Sequence, residues 1–151
     1  MKKSLDVVVA ILLLLGAIGC STDPKSAKGF TLPEGDADRG QEWFSQLQCH
    51  ACHSVAGVEF EQLTTSEDKM IALGGDKPYV VTYGELVTSI INPSHRFATG
   101  YAVDDVKTDG ESKMRLYNDE MTVTQLTDLV AFLQSHYDVK AYQPTPYMPY
   151  Y

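Results

Sequence analysis

Residues 49 to 53 read CHACH, which places two thiols three positions apart with imidazoles between and after them. Two cysteines at this spacing suit three kinds of chemistry: a metal site, a redox-active disulfide, or covalent attachment of a haem. A structural zinc site needs four ligands, which commonly come from two pairs. The sequence disfavours zinc, because it has no second Cys-x-x-Cys pair and its other histidines, His95 and His136, stand alone.

A thioredoxin-type disulfide is also disfavoured, because the cysteine pair follows a predicted helix and no βαβ pattern surrounds it. Covalent haem needs Cys-x-x-Cys-His, in which the two cysteines form thioethers to the vinyl groups on one edge of the ring. The next residue, here His53, is then held beneath the iron as an axial ligand. The motif therefore predicts one haem c, attached at Cys49 and Cys52 and ligated by His53, with His50 as a spacer.

The N-terminus predicts export. Positive charge in MKK precedes an uncharged run from Val7 to Gly19, too short to span a bilayer but typical of a signal peptide. The run ends at Cys20 after small residues, and the stretch resembles the lipobox of bacterial lipoproteins, although Ala17 stands where leucine is usual. We therefore predict a lipoprotein-type signal peptide over residues 1–19 and lipidation of Cys20.

Composition and charge indicate one globular domain that does not bind nucleic acid. The chain has 151 residues, of which 44% are apolar and 21% charged, as expected for one ordinary globular domain. Removal of residues 1–19 leaves 10 basic and 19 acidic residues, a net charge of −9, which argues against nucleic-acid binding. The anchor predicts a periplasmic location, and Ser21 after Cys20 slightly favours the outer membrane.

One helix is predicted near each end of the domain. After a flexible linker over residues 20–35, Asp36 is suited to cap a helix in which Gly40 and Phe44 share an apolar face. Glycine is costly inside a helix, and its presence indicates close approach of another helix. Near the C-terminus, residues 121–137 have a helical apolar stripe, and Thr122 with Gln125 fits a capping box. These two helices are expected to pack on each other.

Shorter features are predicted between them. Residues 83–91 have the pattern of a helix that ends before Asn92 and Pro93, because proline disfavours helix in the residue before it. The dipeptide Asp109-Gly110 favours a hairpin turn.

Three segments are similar to the class I monohaem cytochromes c of bacteria. GDADRGQEWFSQLQCHACHSV resembles the first helix of that family running into the haem motif, and LVTSIINPSHR resembles the helix and Asn-Pro stretch before the ligand loop. MRLYNDEMTVTQLTDLVAFLQ resembles the methionine-ligand segment and the C-terminal helix. The resemblance implies an all-α cytochrome c-like domain over residues 36–138, with its terminal helices packed around a covalent haem, and a Tyr/Pro-rich tail over residues 139–151.

The resemblance also implies a methionine ligand on the other face of the iron. Met114 lies about sixty residues after His53 and ahead of the final helix, at the family's spacing, and is the predicted ligand. Met121 precedes the N-cap of that helix, where packing on Leu126 as a hydrophobic staple would explain it. Met121 and His95 remain alternative ligands.

The chain departs from the family pattern at two positions. Arg115 follows Met114 where the family usually has proline, which leaves the rigidity of the ligand loop open. No proline lies between His53 and Pro78 to supply the carbonyl that holds the axial histidine. Arg96 and several aromatic residues are candidates to line the haem or bond its propionates, although ordinary packing also explains each: Trp43, Tyr83, Phe97, Tyr101 and Tyr117.

These features predict a membrane-tethered periplasmic protein that carries single electrons between a donor dehydrogenase and an acceptor oxidase or reductase. With both axial positions filled, the iron has no open site, so no enzymatic activity is expected. Two alternatives stay open. One is a haem subunit of a larger redox enzyme complex, and the other is a ligand sensor or peroxidase with a labile methionine.

Overall fold

The computed structural model describes residues 29–61, 63 and 70–140. The chain divides into two compact units, Met1–Thr31 and Leu32–Tyr151, and every element given below belongs to the second. The predicted signal peptide, Cys20 and the tail beyond residue 140 lie outside the described residues. The elements in chain order are α1 (Ala37–Gln46), β1 (His53–Val55), β2 (Ile71–Leu73), β3 (Gly75–Lys77), α2 (Tyr83–Ile91), α3 (Val103–Val106), β4 (Lys107–Thr108), β5 (Glu111–Ser112), α4 (Val123–Ser135) and β6 (Tyr137–Val139).

Helix α1 begins where the sequence predicts. Asp36 is its N-cap, and the carboxylate accepts a hydrogen bond from the Arg39 backbone N–H at 3.0 Å. Gly40 and Phe44 are the buried residues of the helix, so the predicted apolar face is the inner one. A left-handed residue, Gln48 (φ 59°), follows the helix and turns the chain into a short 3₁₀ segment over Cys49–Ala51.

Helices α1 and α4 pack at unusually short range, as the glycine inside α1 predicts. A Cβ atom added at Gly40 would lie 2.0 Å from the Asp128 carbonyl oxygen and 2.6 Å from the Phe132 Cβ. A Cβ added at Gly35 would lie 2.1 Å from the Thr127 carbonyl oxygen. Both glycines are therefore required by the approach of the α4 backbone.

An ion pair between a buried carboxylate and an exposed guanidinium fixes the same crossing. Asp128 on α4 is completely buried, and its carboxylate accepts two hydrogen bonds from the Arg39 guanidinium, at 2.9 and 3.0 Å. It also accepts a hydrogen bond from the backbone N–H of Asp36 at 2.8 Å. The side-chain hydrogen bond from Arg39 lowers the pKa of Asp128, while burial opposes that shift. The carboxylate thus holds the first turn of α1 against the middle of α4.

Capping boxes begin two further helices. The predicted box joins Thr122 and Gln125 at the start of α4. A second box, between Thr82 and Glu85, was not predicted and starts α2, which ends at Ile91 with Asn92 as its C-cap, before Pro93. The inner faces of α1, α2 and α4 form one core, whose buried members are Phe44, Val55, Leu86, Val87, Ile90, Leu126, Leu129, Val130, Phe132 and Leu133.

The predicted all-α class is confirmed only in part, because the described residues combine four helices with short strands. Strands β1 and β2 pair in parallel, as do β3 and β6, and β4 and β5 form an antiparallel hairpin. The hairpin has the predicted turn, in which Asp109 (φ 52°) and Gly110 (φ 86°) are both left-handed. The parallel pairs escaped prediction because strands of three residues are too short to show an alternating pattern.

The last strand extends into the segment predicted as a tail. Val139 belongs to β6, and the Lys140 backbone N–H donates to the Lys77 carbonyl at 2.9 Å. The predicted domain boundaries themselves stay predictions. In the part of the chain that the structure describes, no helix is long and apolar enough to cross a membrane.

We expect Gly40→Ala to destabilise the protein strongly, by about 2–4 kcal/mol, because its methyl group would overlap backbone atoms of α4 that cannot move independently. Gly84→Ala is the matched control: a Cβ there meets nothing within 4 Å. In α2 that change should stabilise by about 0.5–1 kcal/mol. Urea unfolding measures the free energy of unfolding of both variants. Equal changes in that free energy would contradict the close crossing of α1 and α4.

Candidate functional site

A cavity of about 520 Å³ lies among α2, α4, the β1–β2 pair and the segment after Ser112, a size typical of small-molecule and cofactor sites. Its wall contains Cys49, His53 and Met114, which are separated by up to 65 residues in the sequence. The fold therefore brings together three of the four predicted haem-site residues. Apolar side chains form much of the remaining wall, including Phe44, Leu47, Leu86, Ile90, Val106, Leu129 and Leu133.

The two cysteines of the motif have different environments. Cys49 follows α1, is half-buried and lines the cavity, whereas Cys52 is exposed and lies outside the lining residues. No disulfide joins the two. Burial raises the pKa of Cys49 to about 11. A thiol with a raised pKa is the opposite of the stabilised thiolate found in thioredoxin-like redox sites.

His53 is oriented by a residue that sequence analysis did not identify. The first residue of β1, His53 pairs with Ile71 of β2, and its Nδ1 lies 3.3 Å from the Ile71 carbonyl oxygen. With Nδ1–H donating to that carbonyl, Nε2 keeps its lone pair and is free to bind a metal. Burial also lowers the pKa of His53, which favours the neutral imidazole that a metal requires. No pattern in the sequence marks Ile71, because the interaction uses its backbone.

Side-chain hydrogen bonds hold the Met114 segment where the family usually has a proline. The Met114 backbone N–H donates to Ser112 Oγ at 3.1 Å, and the Ser112 N–H donates to Ser94 Oγ at 3.0 Å. Further along, the Tyr117 hydroxyl donates to the Leu47 carbonyl at 2.7 Å, next to the cysteine motif. The segment is thereby tied to both sides of the cavity.

A further bond ties the same segment to α2. Asn118 Nδ2 donates to the Ile91 carbonyl at 2.8 Å. Arg115, the residue in the place of the usual proline, is paired with Glu120 and lies over the Tyr117 ring, 4.9 Å from its centroid. Neither Ser112 nor Asn118 was singled out in the sequence, since single polar residues in loops have no distinguishing pattern.

The two alternative iron ligands, Met121 and His95, differ in whether they line the cavity. Met121 also lines the cavity and is half-buried against the core, as the staple role predicts. His95 is exposed, outside the lining residues, and its Nδ1 lies 2.7 Å from the Asn92 carbonyl oxygen. His50 packs on Phe60 with ring centroids 5.6 Å apart and does not belong to the described cavity wall.

Of the proposed supporting residues, most reach the cavity. Phe97, Tyr101, Tyr117 and Arg96 line it, and Arg96 is paired with Glu85 at 3.3 Å. Trp43 and Tyr83 are instead packed against the core. Within the described ranges, no group of three or more His, Cys, Asp or Glu side chains is arranged to hold a metal ion by itself.

The chain matches the family model for Cytochrome c over residues 37–136. It belongs to the cytochrome c family. Comparison with curated proteins and with solved structures gives no match. Membership of the family makes this a haem-binding electron-transfer protein, and it implies covalently attached haem c, one group for a small single-domain member.

The four predicted haem-site residues, three of them in the cavity wall, fit that group by the chemistry of their donors. Cys49 and Cys52 offer two thiols at thioether spacing, His53 offers an imidazole nitrogen, and Met114 offers a soft thioether sulfur. The apolar wall provides the low-polarity surroundings that, with the axial ligands, set a haem potential. The cavity wall is thus consistent with the predicted haem site.

Proposed function

We propose that this cytochrome c carries single electrons between redox proteins while anchored to a membrane on the periplasmic side. The observation that carries the proposal is the shared cavity, in which Cys49, His53 and Met114 face one space. In this proposal Cys49 and Cys52 hold the haem, and His53 and Met114 bind its iron. Haem c, when bound, supplies a one-electron iron couple.

The chain's own residues favour electron transfer over substrate chemistry. The hydrogen bond from the Met114 N–H to Ser112, together with those donated by Tyr117 and Asn118, ties down the segment that carries Met114, which opposes its departure from the cavity. The Ile71 carbonyl, on the neighbouring strand β2, orients the His53 ring. Both proposed ligands therefore lie on restrained backbone, which favours a six-coordinate iron over an open site for substrate.

The charge of the chain indicates the kind of partner. With residues 1–19 removed the net charge is −9, so a donor dehydrogenase and an acceptor oxidase or reductase would dock through positively charged faces. A lipid on Cys20 and the linker up to residue 35 would keep the domain near the membrane while allowing it to turn between partners. Ser21 slightly favours the outer membrane.

Replacement of Met114 tests the ligand assignment. Met114→Ala should remove the weak near-infrared charge-transfer band of the methionine–iron bond and lower the reduction potential, because a soft thioether stabilises the reduced iron. Met121→Ala is the matched control, a methionine on the same cavity wall. Loss of the band in Met121→Ala and its retention in Met114→Ala would reverse the assignment.

The electron-transfer role is tested on the purified protein with small redox reagents. A pyridine haemochrome spectrum should show one covalent haem, and the reduced protein should bind carbon monoxide slowly. Its oxidation by a cationic complex should slow as salt is added, and oxidation by anionic ferricyanide should accelerate, because salt screens the acidic surface. Rapid carbon monoxide binding would instead favour a ligand sensor.

The anchor is tested in cells. Cys20→Ser should abolish the incorporation of labelled fatty acid into the protein, since the thiol is the lipid attachment point. Ser21→Ala, which leaves the thiol in place, is the control and should keep the label. Labelling of Cys20→Ser equal to that of the wild type would contradict lipidation at Cys20.

A further inference from the structure

The backbone around Ile71 makes three hydrogen bonds that link the haem motif to a distant tyrosine. The Ile71 N–H donates to the Cys52 carbonyl at 2.9 Å, and the Ile71 carbonyl oxygen lies 3.3 Å from His53 Nδ1. The N–H of the next residue, Ala72, donates to the Tyr101 hydroxyl oxygen at 2.8 Å. The Ile71 carbonyl and the Ala72 N–H belong to the same peptide group.

A peptide group transmits polarisation from one end to the other because its C–N bond has partial double-bond character. An acceptor at the N–H increases the negative charge on the carbonyl oxygen, which then accepts a stronger hydrogen bond, by roughly 10–30% per bond in a chain. Here the acceptor is the Tyr101 oxygen and the second bond is the one from His53 Nδ1. The three groups therefore form one polarised chain.

We propose that Tyr101 is a positioning residue that tunes the axial imidazole through the Ile71–Ala72 peptide. The inference rests on the proposed role of His53 as an iron ligand. A stronger pull on the Nδ1 proton makes the other ring nitrogen a better electron donor. A better donor favours the oxidised iron, so the Tyr101 hydroxyl lowers the reduction potential.

The position of Tyr101 suits this role. The side chain is half-buried and lines the cavity, so its oxygen is held in place against β2. A phenylalanine ring would fill the same position but offer the Ala72 N–H no acceptor. Loss of the hydroxyl should therefore reduce the polarisation of the Ile71–Ala72 peptide and weaken the hydrogen bond from His53 Nδ1.

The experiment compares the haem-loaded wild-type protein with Tyr101→Phe. The variant should have a higher reduction potential, a shifted ¹⁵N resonance of His53 Nδ1, and exchange of that Nδ1 proton faster by about threefold or more. A ring-fluorinated tyrosine at position 101 keeps the shape but weakens the oxygen as an acceptor. It should give a smaller change in the same direction.

Tyr79→Phe is the matched control, because Tyr79 lines the same cavity but is 54% exposed. It should leave the His53 signals unchanged. The protection of the Ile71 and Ala56 amides, which bond across β1 and β2, reports whether the strands stay paired.

The outcomes separate the inference from the function on which it rests. Unchanged potential and His53 signals in Tyr101→Phe would overturn the inference alone. Loss of Ile71 and Ala56 protection would also overturn it, since Tyr101 would then only anchor the strand. If the wild-type protein shows no iron-shifted His53 ring, the ligand assignment fails and the inference with it.

Discussion

The carboxylate of Asp128 lies completely buried at the crossing of α1 and α4. Removing a carboxylate from water is costly, and here the cost is offset by the Arg39 guanidinium and the Asp36 N–H, which together donate three hydrogen bonds. The contact is close enough to exclude any side chain at Gly40. Charge pairing and steric fit thus specify the same arrangement of the two helices.

The site depends on that arrangement. The cysteine motif follows directly from α1, and Leu129 and Leu133 of α4 form part of the cavity wall. Tyr117, in the segment that precedes α4, donates back to Leu47 at the end of α1. A change in the crossing would therefore move Cys49 and Met114 relative to each other, although neither residue is part of the crossing itself.

Sequence reasoning predicted the helices and the haem chemistry better than the strands and supporting contacts. Residue type alone indicates some features of the helices. A side chain that can cap a helix marks its start at Asp36 and Thr122, and a glycine inside a helix marks the close approach at Gly40. The cytochrome c family is confirmed, whereas the individual ligands remain assignments that the cavity supports.

The partner of His53 could not be predicted in the same way. It is the backbone carbonyl of Ile71, and a carbonyl is present at every position of the chain. The pairing of β1 with β2 that selects it involves only three residues on each strand. Likewise, Ser112 and Asn118 hold the Met114 segment through bonds that depend on the folded backbone, not on spacing in the sequence.

The separation of Arg39 and Asp128 along the chain has a consequence for folding kinetics. The two residues are 89 positions apart, and closing a loop of about ninety residues carries a length-dependent entropy cost of about 4 kcal/mol. A high share of contacts of such long range slows the folding of small domains. Before α1 and α4 meet, both thiols of the motif lie on an open chain, so covalent attachment at Cys49 and Cys52 need not wait for the cavity to be complete.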